Sequence, residues 1–403
     1  MAWGDAWRRI ERPLAPLPAG ATLATLRGWR PVGFDPGGRR FVVVEELRVS
    51  GRRFRPHAVG AVLPPGWTRA ALPAGDRLPS APVLPQWAYT AAGWSGGSFV
   101  VAALRTDRRR HWDPARFSGP ELPGLVEARL AGDPGSRLLR QLSTCALRHR
   151  CFTAQNLFYG RDEGALPASN ACNARCAGCL SDQPEGGAPA SQPRIGQKAA
   201  WQELAEIGGR HLARATGRVM VSFGQGCEGE PLCAADTIER AIGEMRGATP
   251  RGSINLNTNG SLPDALDRLL HAGLDAVRIS LNSADPRLYE AYYSPRSYSF
   301  SDVVRSIQFA RARGVYVALN LLTFPGVTDR EGEVEALADL IARRRVDQLQ
   351  TRSLAIDPAA YVAIARGRGA GGEPLGLPEM ARRLRQRAPW LSIGNFARAL
   401  NER

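Results

Sequence analysis

The hydrophobic positions follow two different patterns along the chain. From about residue 160, apolar runs of strand length alternate with amphipathic segments of helix length. The predicted strands lie near Leu166 and at 219–223, 254–258, 276–281, 315–322 and 348–350, and the predicted helices lie at 199–213, 234–246, 262–272, 301–313 and 331–344. Alternating strands and helices form a parallel sheet, and right-handed crossovers bring the C-terminal strand ends to one rim. The pattern predicts an α/β fold with a partial (βα)6 barrel of the TIM type.

The first 140 residues show a different pattern. They hold seven of the nine tryptophans and short β-type runs, at 41–47 and 98–104, which Pro and Gly interrupt. This predicts an N-terminal β-rich domain or extension that could recognise a substrate. The predicted divisions are 1–140 for this Trp-rich region, 141–163 for a linker with Cys145 and Cys151, 164–356 for the barrel core, and 357–403 for a C-terminal loop and helices.

The net charge of +15 raises the possibility of a polyanionic partner such as RNA. However, Lys198 is the only lysine among 53 basic residues, and the arginines are scattered, with the densest runs at 108–110 and 343–345. This usage indicates a base-composition bias of the genome, and solvated surface is the favoured interpretation of both runs, with a polyanionic substrate left open.

Several signals concern location. No stretch of about 18 apolar residues predicts a membrane span, and residues 1–9 lack the basic start and apolar run of a secretory signal. Seven cysteines in 403 residues do not make a disulfide framework. We therefore expect a cytoplasmic protein with reduced cysteines and no membrane partner.

Three of the cysteines, Cys172, Cys176 and Cys179, have the spacing Cys-x3-Cys-x2-Cys. Three thiolates on one loop can ligate three irons of a [4Fe–4S] cluster and leave the fourth open. Structural zinc normally takes four ligands, and no histidine follows within thirty residues. An iron–sulfur site is favoured over zinc or unligated thiols.

Polar and glycine residues follow each later predicted strand. These segments are 224–232, 257–261, 278–283, 320–326 and 350–353. Ligands bind at the C-terminal rim of parallel barrels, so the segments predict a binding site there.

The chain resembles a radical S-adenosylmethionine (SAM) enzyme over about residues 165–355. Besides the cysteine triplet, the resemblance rests on Gly229-Glu230-Pro231, Thr258-Asn259-Gly260, and the pair Ser280 and Asn282, in the expected order. One position departs from the family pattern, because many members have an aromatic residue where this chain has Gly178.

The resemblance implies that the triplet ligates the cluster and that SAM chelates the open iron. The residues it assigns to cofactor binding are Gly229, Glu230, Asn257, Asn259, Ser280, Asn282 and Leu322. Glu230 would accept hydrogen bonds from the SAM amino group, while Ser280 and Asn282 would bind ribose hydroxyls or the carboxylate. Structural alternatives remain open: Glu230 as a helix cap, Asn259 as a turn residue, and the other two as satisfied strand ends.

The implied reaction is reductive cleavage of SAM to a 5′-deoxyadenosyl radical, which takes hydrogen from an unidentified peptide or protein, RNA or small metabolite. A reducing partner such as flavodoxin or ferredoxin would supply the electron. Cys227, Gln350 and Arg352 are the candidates for a role on the substrate. The alternative is a non-catalytic zinc or iron–sulfur module with a basic RNA-binding surface.

The other four cysteines, Cys145, Cys151, Cys227 and Cys233, form two Cys-x5-Cys pairs. Four thiolates could bind a second cluster or a metal. The alternative is ordinary buried thiols, which pack as small hydrophobes.

Overall fold

The N-terminal region consists of short strands that pair in antiparallel fashion. The protein is described by a computed structural model, which covers residues 1–4, 6–8, 14–185, 187–369 and 371–400. The strands are β1 (Ala2–Trp3), β2 (Ala6–Trp7), β3 (Ala15–Pro16), β4 (Thr22–Leu26), β5 (Trp29–Asp35), β6 (Arg40–Val43), β7 (Leu47–Val49), β8 (Arg52–Phe54), β9 (Ala58–Val62), β10 (Trp67–Arg69), β11 (Gly75–Arg77), β12 (Tyr89–Ser95), β13 (Ser98–Val101) and β14 (Ala103–Arg105). The largest sheet has the order β3-β13-β12-β9-β4.

Helices follow the β-rich part, which ends at Arg105. They are α1 (Leu122–Ala131), α2 (Arg137–Leu147) and α3 (Phe152–Tyr159), preceded by 3-10 turns at Arg110–Trp112 and Pro114–Arg116. The predicted division at residue 140 therefore falls inside α2, and the predicted linker 141–163 contains helical residues. Helical spacing places Leu138, Leu142 and Cys145 on one buried face of α2, and the Ser136 side chain caps the helix by accepting from the Leu139 N–H.

A seven-stranded parallel sheet with covering helices forms the rest of the chain and confirms the predicted α/β partial barrel. Its elements are β15 (Arg161–Ala165), α4 (Trp201–Arg214), β16 (Thr216–Phe223), α5 (Ala235–Ala248), β17 (Ser253–Thr258), α6 (Pro263–Ala272), β18 (Ala276–Leu281), α7 (Pro286–Tyr293), α8 (Phe300–Ala312), β19 (Tyr316–Thr323), α9 (Glu331–Arg344), β20 (Gln348–Ser353), α10 (Pro358–Ala365), α11 (Leu377–Arg387) and β21 (Ser392–Gly394). The strands are adjacent in sequence order. Within the described ranges, no helix has both the length and the apolar character that crossing a membrane requires.

The short strand β21 is the main addition to the predicted barrel. Only helices were predicted after residue 378, but β21 pairs in parallel with β20, from Gln348 opposite Ser392 to Gln350 opposite Gly394. Three residues are too few for a strand pattern to emerge from the sequence. The short helices α7 and α10 were also not predicted.

Side chains of the middle strands alternate between the helices and the barrel lumen. On β18, Val277 and Ile279 are fully buried, whereas Arg278 and Ser280 are partly accessible. On β19, Leu321 is buried and Asn320 is partly accessible. Since strand side chains point to opposite faces in turn, the polar set lines the lumen.

The N-terminal region packs against the last strands of the barrel and reaches the cysteine loop. The Thr68 hydroxyl donates to the Thr351 carbonyl at 3.1 Å, and the Arg69 N–H donates to the Ser353 hydroxyl at 3.0 Å. The Gln86 side chain donates to the Ala177 carbonyl at 3.4 Å. These contacts cover the β20 side of the open sheet.

We expect Leu349→Ala to lower the free energy of unfolding by about 2–5 kcal/mol, because it leaves a cavity in the layer between the sheet and the helices. Leu349 is fully buried on β20. Urea unfolding of the full chain measures the change. Leu47→Ala is the control, since Leu47 is 46% exposed; equal losses in both variants would contradict the described core.

Candidate functional site

The loop with the three cysteines follows β15 and lies at the C-terminal rim of the barrel. The Arg175 N–H donates to the Tyr293 carbonyl, and the Ala177 N–H donates to the Tyr292 carbonyl, each at 2.9 Å. The Cys179 N–H closes a turn onto the Cys176 carbonyl at 3.1 Å. Backbone bonds to the end of α7 therefore fix the loop without using the thiols.

Burial disfavours the thiolate form of two of the three thiols, although a metal ligand must be a thiolate. Burial raises the pKa of Cys172, and it raises the pKa of Cys176 well above the ordinary value. An electropositive partner is needed to hold such groups as thiolates. Arg194 supplies part of this charge, because its Nη2 donates to the Cys179 sulfur at 3.7 Å.

The donor set fits a cluster with one open iron. Across the described ranges, no three His, Cys, Asp or Glu side chains lie close enough to surround one metal ion. In a [4Fe–4S] cluster each thiolate ligates a different iron, so its ligands need not converge on a point. Cys172, Cys176 and Cys179 supply three such ligands from one loop.

Gly229 brings the second predicted element against the cysteine loop. Its N–H donates to the Ser169 carbonyl at 2.7 Å, and the Glu230 N–H donates to the Ala171 carbonyl at 2.8 Å. A Cβ on Gly229 would lie well inside van der Waals contact with the Ala171 carbonyl. The close approach of the two segments thus requires glycine.

Glu228 is a residue whose role sequence reasoning missed. Its carboxylate is buried and accepts four backbone N–H groups, from Ala168 at 2.7 Å, Ser169 at 2.9 Å, Gly224 at 2.7 Å and Gln225 at 2.6 Å. Burial raises its pKa to about 7, and the four donors act in the opposite direction. One carboxylate therefore ties the segment that leads into the cysteine loop to the turn after β16. A buried acid beside a Gly-rich turn was the available signal.

Glu230 occupies the position that the capping alternative predicted. One carboxylate oxygen accepts from the Leu232 N–H at 3.0 Å and from the Thr258 hydroxyl, and the other accepts from the Asn259 N–H at 2.8 Å. Burial raises its pKa to about 7. Glu230 thus joins the 3-10 helix Pro231–Ala234 to the end of β17, and its contact with the SAM amino group stays a prediction.

The two asparagines after β17 have different partners. Asn259 donates to the Asn173 side chain at 3.0 Å and accepts from the Ser261 N–H at 2.9 Å. It therefore attaches the β17 end to the cysteine loop. Asn257 donates to the Gly224 carbonyl at 3.1 Å.

Unpartnered acceptors lie at the ends of β18 and β19. Asn282 is fully buried and donates to the Leu288 carbonyl and the Tyr361 hydroxyl, each at 3.2 Å, but its Oδ1 has no partner. The Oδ1 of Asn320 also has none, while its Nδ2 donates to Ser280 at 3.4 Å. Buried acceptors without partners are rare, and hydroxyl groups of a nucleoside would satisfy them. Leu322 lines the same face and is partly accessible. These residues fit a nucleoside-containing cofactor.

Gly178 departs from the family pattern for a steric reason. A Cβ at this position would lie 2.7 Å from the Tyr292 hydroxyl and 3.2 Å from the Ala355 carbonyl. The buried Tyr292 ring therefore takes up space that a side chain at 178 would need.

The remaining four cysteines do not lie together; a second four-thiol site stays a prediction, and the burial of Cys145 and Cys227 favours the alternative of ordinary buried thiols. Cys145 and Cys227 are buried and lie beside each other, and the Cys151 N–H donates to the Cys145 carbonyl at 3.0 Å. Cys233 is exposed and lies instead beside Glu230 and Cys172. The reason is that α2 and α3 belong to the helical layer, whereas Cys233 follows the Gly-Glu-Pro turn at the rim.

The three residues predicted to act on the substrate do not all lie in one place. The Cys227 thiol belongs to the hydrophobic core, beside Cys145. Gln350 and Arg352 lie on β20 at alternating positions, and the Gln350 Oε1 accepts from Arg278 at 3.1 Å. Only the β20 pair belongs to the lumen-facing set.

A cavity lies at the N-terminal rim of the barrel, opposite the rim with the cysteine loop. Its volume is about 590 Å³, and its lining residues include Arg109, Trp112, Glu163 and Arg218. Because it opens near the N-terminal strand ends, it is separate from the rim that carries the cysteine loop.

A parallel partial barrel with three cysteines at its C-terminal rim and unpartnered acceptors nearby is an arrangement that fits an iron–sulfur cluster and a nucleoside-containing cofactor. Residues 166–341, which are 176 of the 403 residues, match the family described as the Radical SAM superfamily. Its cofactors are a [4Fe–4S] cluster and SAM, and the recognition made from the motifs is confirmed.

Relatives with assigned names cover part of the chain. The FeMo cofactor biosynthesis protein NifB of Klebsiella pneumoniae is 29% identical over 178 residues, which are 41% of this chain and 37% of that protein. The probable GTP 3′,8-cyclase of Methanopyrus kandleri is 35% identical over 150 residues, 36% of this chain and 47% of that protein. The chain thus matches less than half the length of either relative.

Solved structures show similarity at low sequence identity. Methylornithine synthase (PylB) has a TM-score of 0.41 and 14% identity, and the alignment covers 67% of this chain and 77% of that chain. The SAM-bound structure of SuiB from Streptococcus suis has a TM-score of 0.41 and 13% identity, with 64% and 51% covered.

We expect Gly229→Ala to prevent cluster assembly, because the added Cβ would push the Gly-Glu-Pro turn away from the Ala171 carbonyl. The measurement is iron and sulfide content per chain after anaerobic reconstitution, with visible absorbance as a second reading. Gly243→Ala on α5 is the control, since a Cβ there meets no atom within 4 Å. Normal iron content in Gly229→Ala would disprove the steric argument.

Glu228→Gln should lower both unfolding stability and iron content. The amide group offers one acceptor oxygen, so two of the four N–H donors lose their partner, at about 1–3 kcal/mol each. Chemical denaturation and iron analysis measure the two effects. Glu335→Gln makes the same change on a side chain that is 65% exposed and should leave both unchanged. If Glu228→Gln gave the same stability and iron content as this control, Glu228 would not be what joins the cysteine loop to the turn after β16.

Proposed function

We propose that this chain is a radical-generating enzyme in which Cys172, Cys176 and Cys179 hold the cluster and the neighbouring strand ends hold SAM. The observation that carries the proposal is the direct contact of the cysteine loop with the Gly-Glu-Pro turn and with the β17 end. The first contact is the hydrogen bond from the Glu230 N–H to the Ala171 carbonyl. The second is the bond from Asn259 to Asn173.

When bound, the cluster and SAM supply one-electron chemistry that yields a 5′-deoxyadenosyl radical able to take hydrogen from a substrate C–H bond. The chain's own residues would bind SAM and orient it. Ser280, Asn282 and Leu322 would contact the nucleoside and methionine parts. The opposite wall of the SAM pocket would consist of Asn257, Gly229 and Glu230. The Glu230 carboxylate already accepts hydrogen bonds from its neighbours.

The N-terminal region would exclude water from the reacting centre. Gln86 is buried against the cysteine loop, and the Arg69 guanidinium donates to the Thr323 carbonyl at 3.4 Å. Water exclusion protects reactive intermediates from side reactions. This supports a role of the N-terminal residues in closing the site and in substrate recognition.

The partners follow from the chemistry. A low-potential donor such as flavodoxin or ferredoxin would reduce the cluster. Curated relatives include proteins named for FeMo cofactor biosynthesis and for GTP 3′,8-cyclisation, so their names point to more than one substrate class. The substrate stays open between a peptide or protein, RNA and a small metabolite.

Cys176→Ala should abolish both iron binding and dithionite-driven release of 5′-deoxyadenosine, because the cluster would lose one of its three ligands. Cys233→Ala should retain both, since this exposed thiol is outside the triplet. Iron analysis and chromatography of the SAM products measure the two quantities. Turnover in Cys176→Ala, or zinc in place of iron in the wild-type chain, would overturn the assignment.

A further inference from the structure

Two arginines project into the barrel lumen without a carboxylate partner. Arg278 lies on β18 and Arg352 at the end of β20. Neither makes an ion pair within 4.0 Å in the parts of the chain that the structure describes. Other arginines there do pair with carboxylates, for example Arg246, Arg311 and Arg313. Both residues are partly accessible, whereas Val277 and Ile279, the outward neighbours of Arg278, are fully buried.

Arg278 and Arg352 are not level in the strand register, and Gln350 links them, because it accepts from Arg278 and lies two residues before Arg352 on the same face of β20. Arg278 lies beside Ala318 of β19, and Ala318 lies beside Gln348 of β20. The small Ala318 side chain lets Arg278 extend across β19 and donate to the Gln350 Oε1 at 3.1 Å. Arg352 lies one inward position beyond Gln350, and the charge of Arg278 acts on it, since it contributes to the lowered pKa of Arg352.

The hydrogen-bond capacity of the pair is largely unused. Arg278 Nε is buried and has no partner, although a guanidinium carries five N–H donors. The Arg352 guanidinium lies over the Phe396 ring, with its carbon 5.6 Å from the ring centroid. Burial lowers the pKa of Arg352 to about 10, so it stays charged at neutral pH.

The acidic groups that face the pair do not neutralise it. Glu163 accepts from the Ser222 hydroxyl at 2.6 Å. Asp107 accepts from the Arg109 and Asn395 N–H groups at 3.1 and 3.2 Å. Neither carboxylate forms a hydrogen bond or an ion pair with Arg352, and only their negative charge acts on it from a distance. A buried charge that lacks a close partner is costly.

We propose that Arg278 and Arg352 form an anion-binding pair in the lumen, and that the substrate of this enzyme presents a carboxylate or a phosphate group to it. The planar guanidinium fork matches the oxygens of both groups. A bound anion would use the free donors and supply the missing counter-charge. This inference rests on the proposed function, because the lumen faces the rim where the radical would form.

Arg278 lies deeper in the barrel than the proposed cofactor contacts on its own strand, whereas Arg352 lies in register with Leu322, which is one of those contacts. Ser280 and Asn282 follow it on the same strand, nearer to the rim, and Arg278 lies in register with Asn257 of β17. An anionic group held between Arg278 and Arg352 would therefore extend from below the cofactor contacts to the level of Leu322, so SAM affinity has to be measured beside anion affinity.

Isothermal titration of the full-length, anaerobically reconstituted chain with pyrophosphate and with malonate tests the pair. We expect each of Arg278→Gln and Arg352→Gln to weaken binding of at least one probe tenfold or more. Weakening of pyrophosphate binding alone indicates a phosphate substrate, and weakening of malonate binding alone indicates a carboxylate. Arg343→Gln makes the same charge change on a side chain that is 73% exposed and should match the wild type, which controls for the basic surface.

Cluster content and SAM affinity are measured on the same preparations. A chain that binds no cluster would refute the proposed function and still allow the anion titration to be read. Equal anion affinity in all four proteins would overturn the pair. Weaker SAM binding with unchanged anion binding would also overturn it, by assigning the guanidinium groups to the cofactor.

A second measurement needs no variant and applies if a substitution prevents folding. Phenylglyoxal modifies accessible arginines, and mass spectrometry locates the modified peptides. Pyrophosphate or malonate should protect the peptides with Arg278 and Arg352 but not the peptide with Arg343. Modification that is unaffected by both anions would contradict the proposal.

Discussion

The architecture of the site depends on the close contact between two backbone segments at the barrel rim. The Glu230 N–H meets the Ala171 carbonyl, and Gly229 permits this approach because a side chain would collide with that carbonyl. Glu228, next in the chain, binds four backbone N–H groups from the segments on either side. The cysteine loop is thereby fixed before any cofactor binds, and the thiols remain available as ligands.

The same constraint explains why several conspicuous polar residues hold the protein together and do not point at a ligand. Glu230 and Asn259 use most of their hydrogen-bonding capacity to join the β17 end to the cysteine loop. The unused capacity lies farther along the sheet, on Asn282, Asn320 and the lumen arginines. The site thus divides into a satisfied framework on one side and unpartnered polar groups on the other, and binding groups are expected among the latter.

The contacts of the N-terminal region with the barrel and with the cysteine loop could not be predicted from its sequence. Short strands and scattered aromatic residues predicted a β-rich domain, and the strands up to Arg105 agree. Its contacts with β20 and with the Ala177 carbonyl come from Thr68, Arg69 and Gln86. None of these three residues stands in a motif, because each acts through a partner more than 90 positions away in the chain.

The sequence by itself determined the barrel and the proposed ligand set. The alternation of apolar runs is a local property, so most strands and helices of 199–353 fall within a few residues of prediction, and the spacing of Cys172, Cys176 and Cys179 is a property of one loop. Tertiary structure decided the rest. It separated Cys233 from Cys145 and Cys227, placed Tyr292 in the space beside Gly178, and brought Arg278 and Arg352 to one lumen. These outcomes depend on which distant side chains meet, and the periodicity of a sequence carries no information about such pairings.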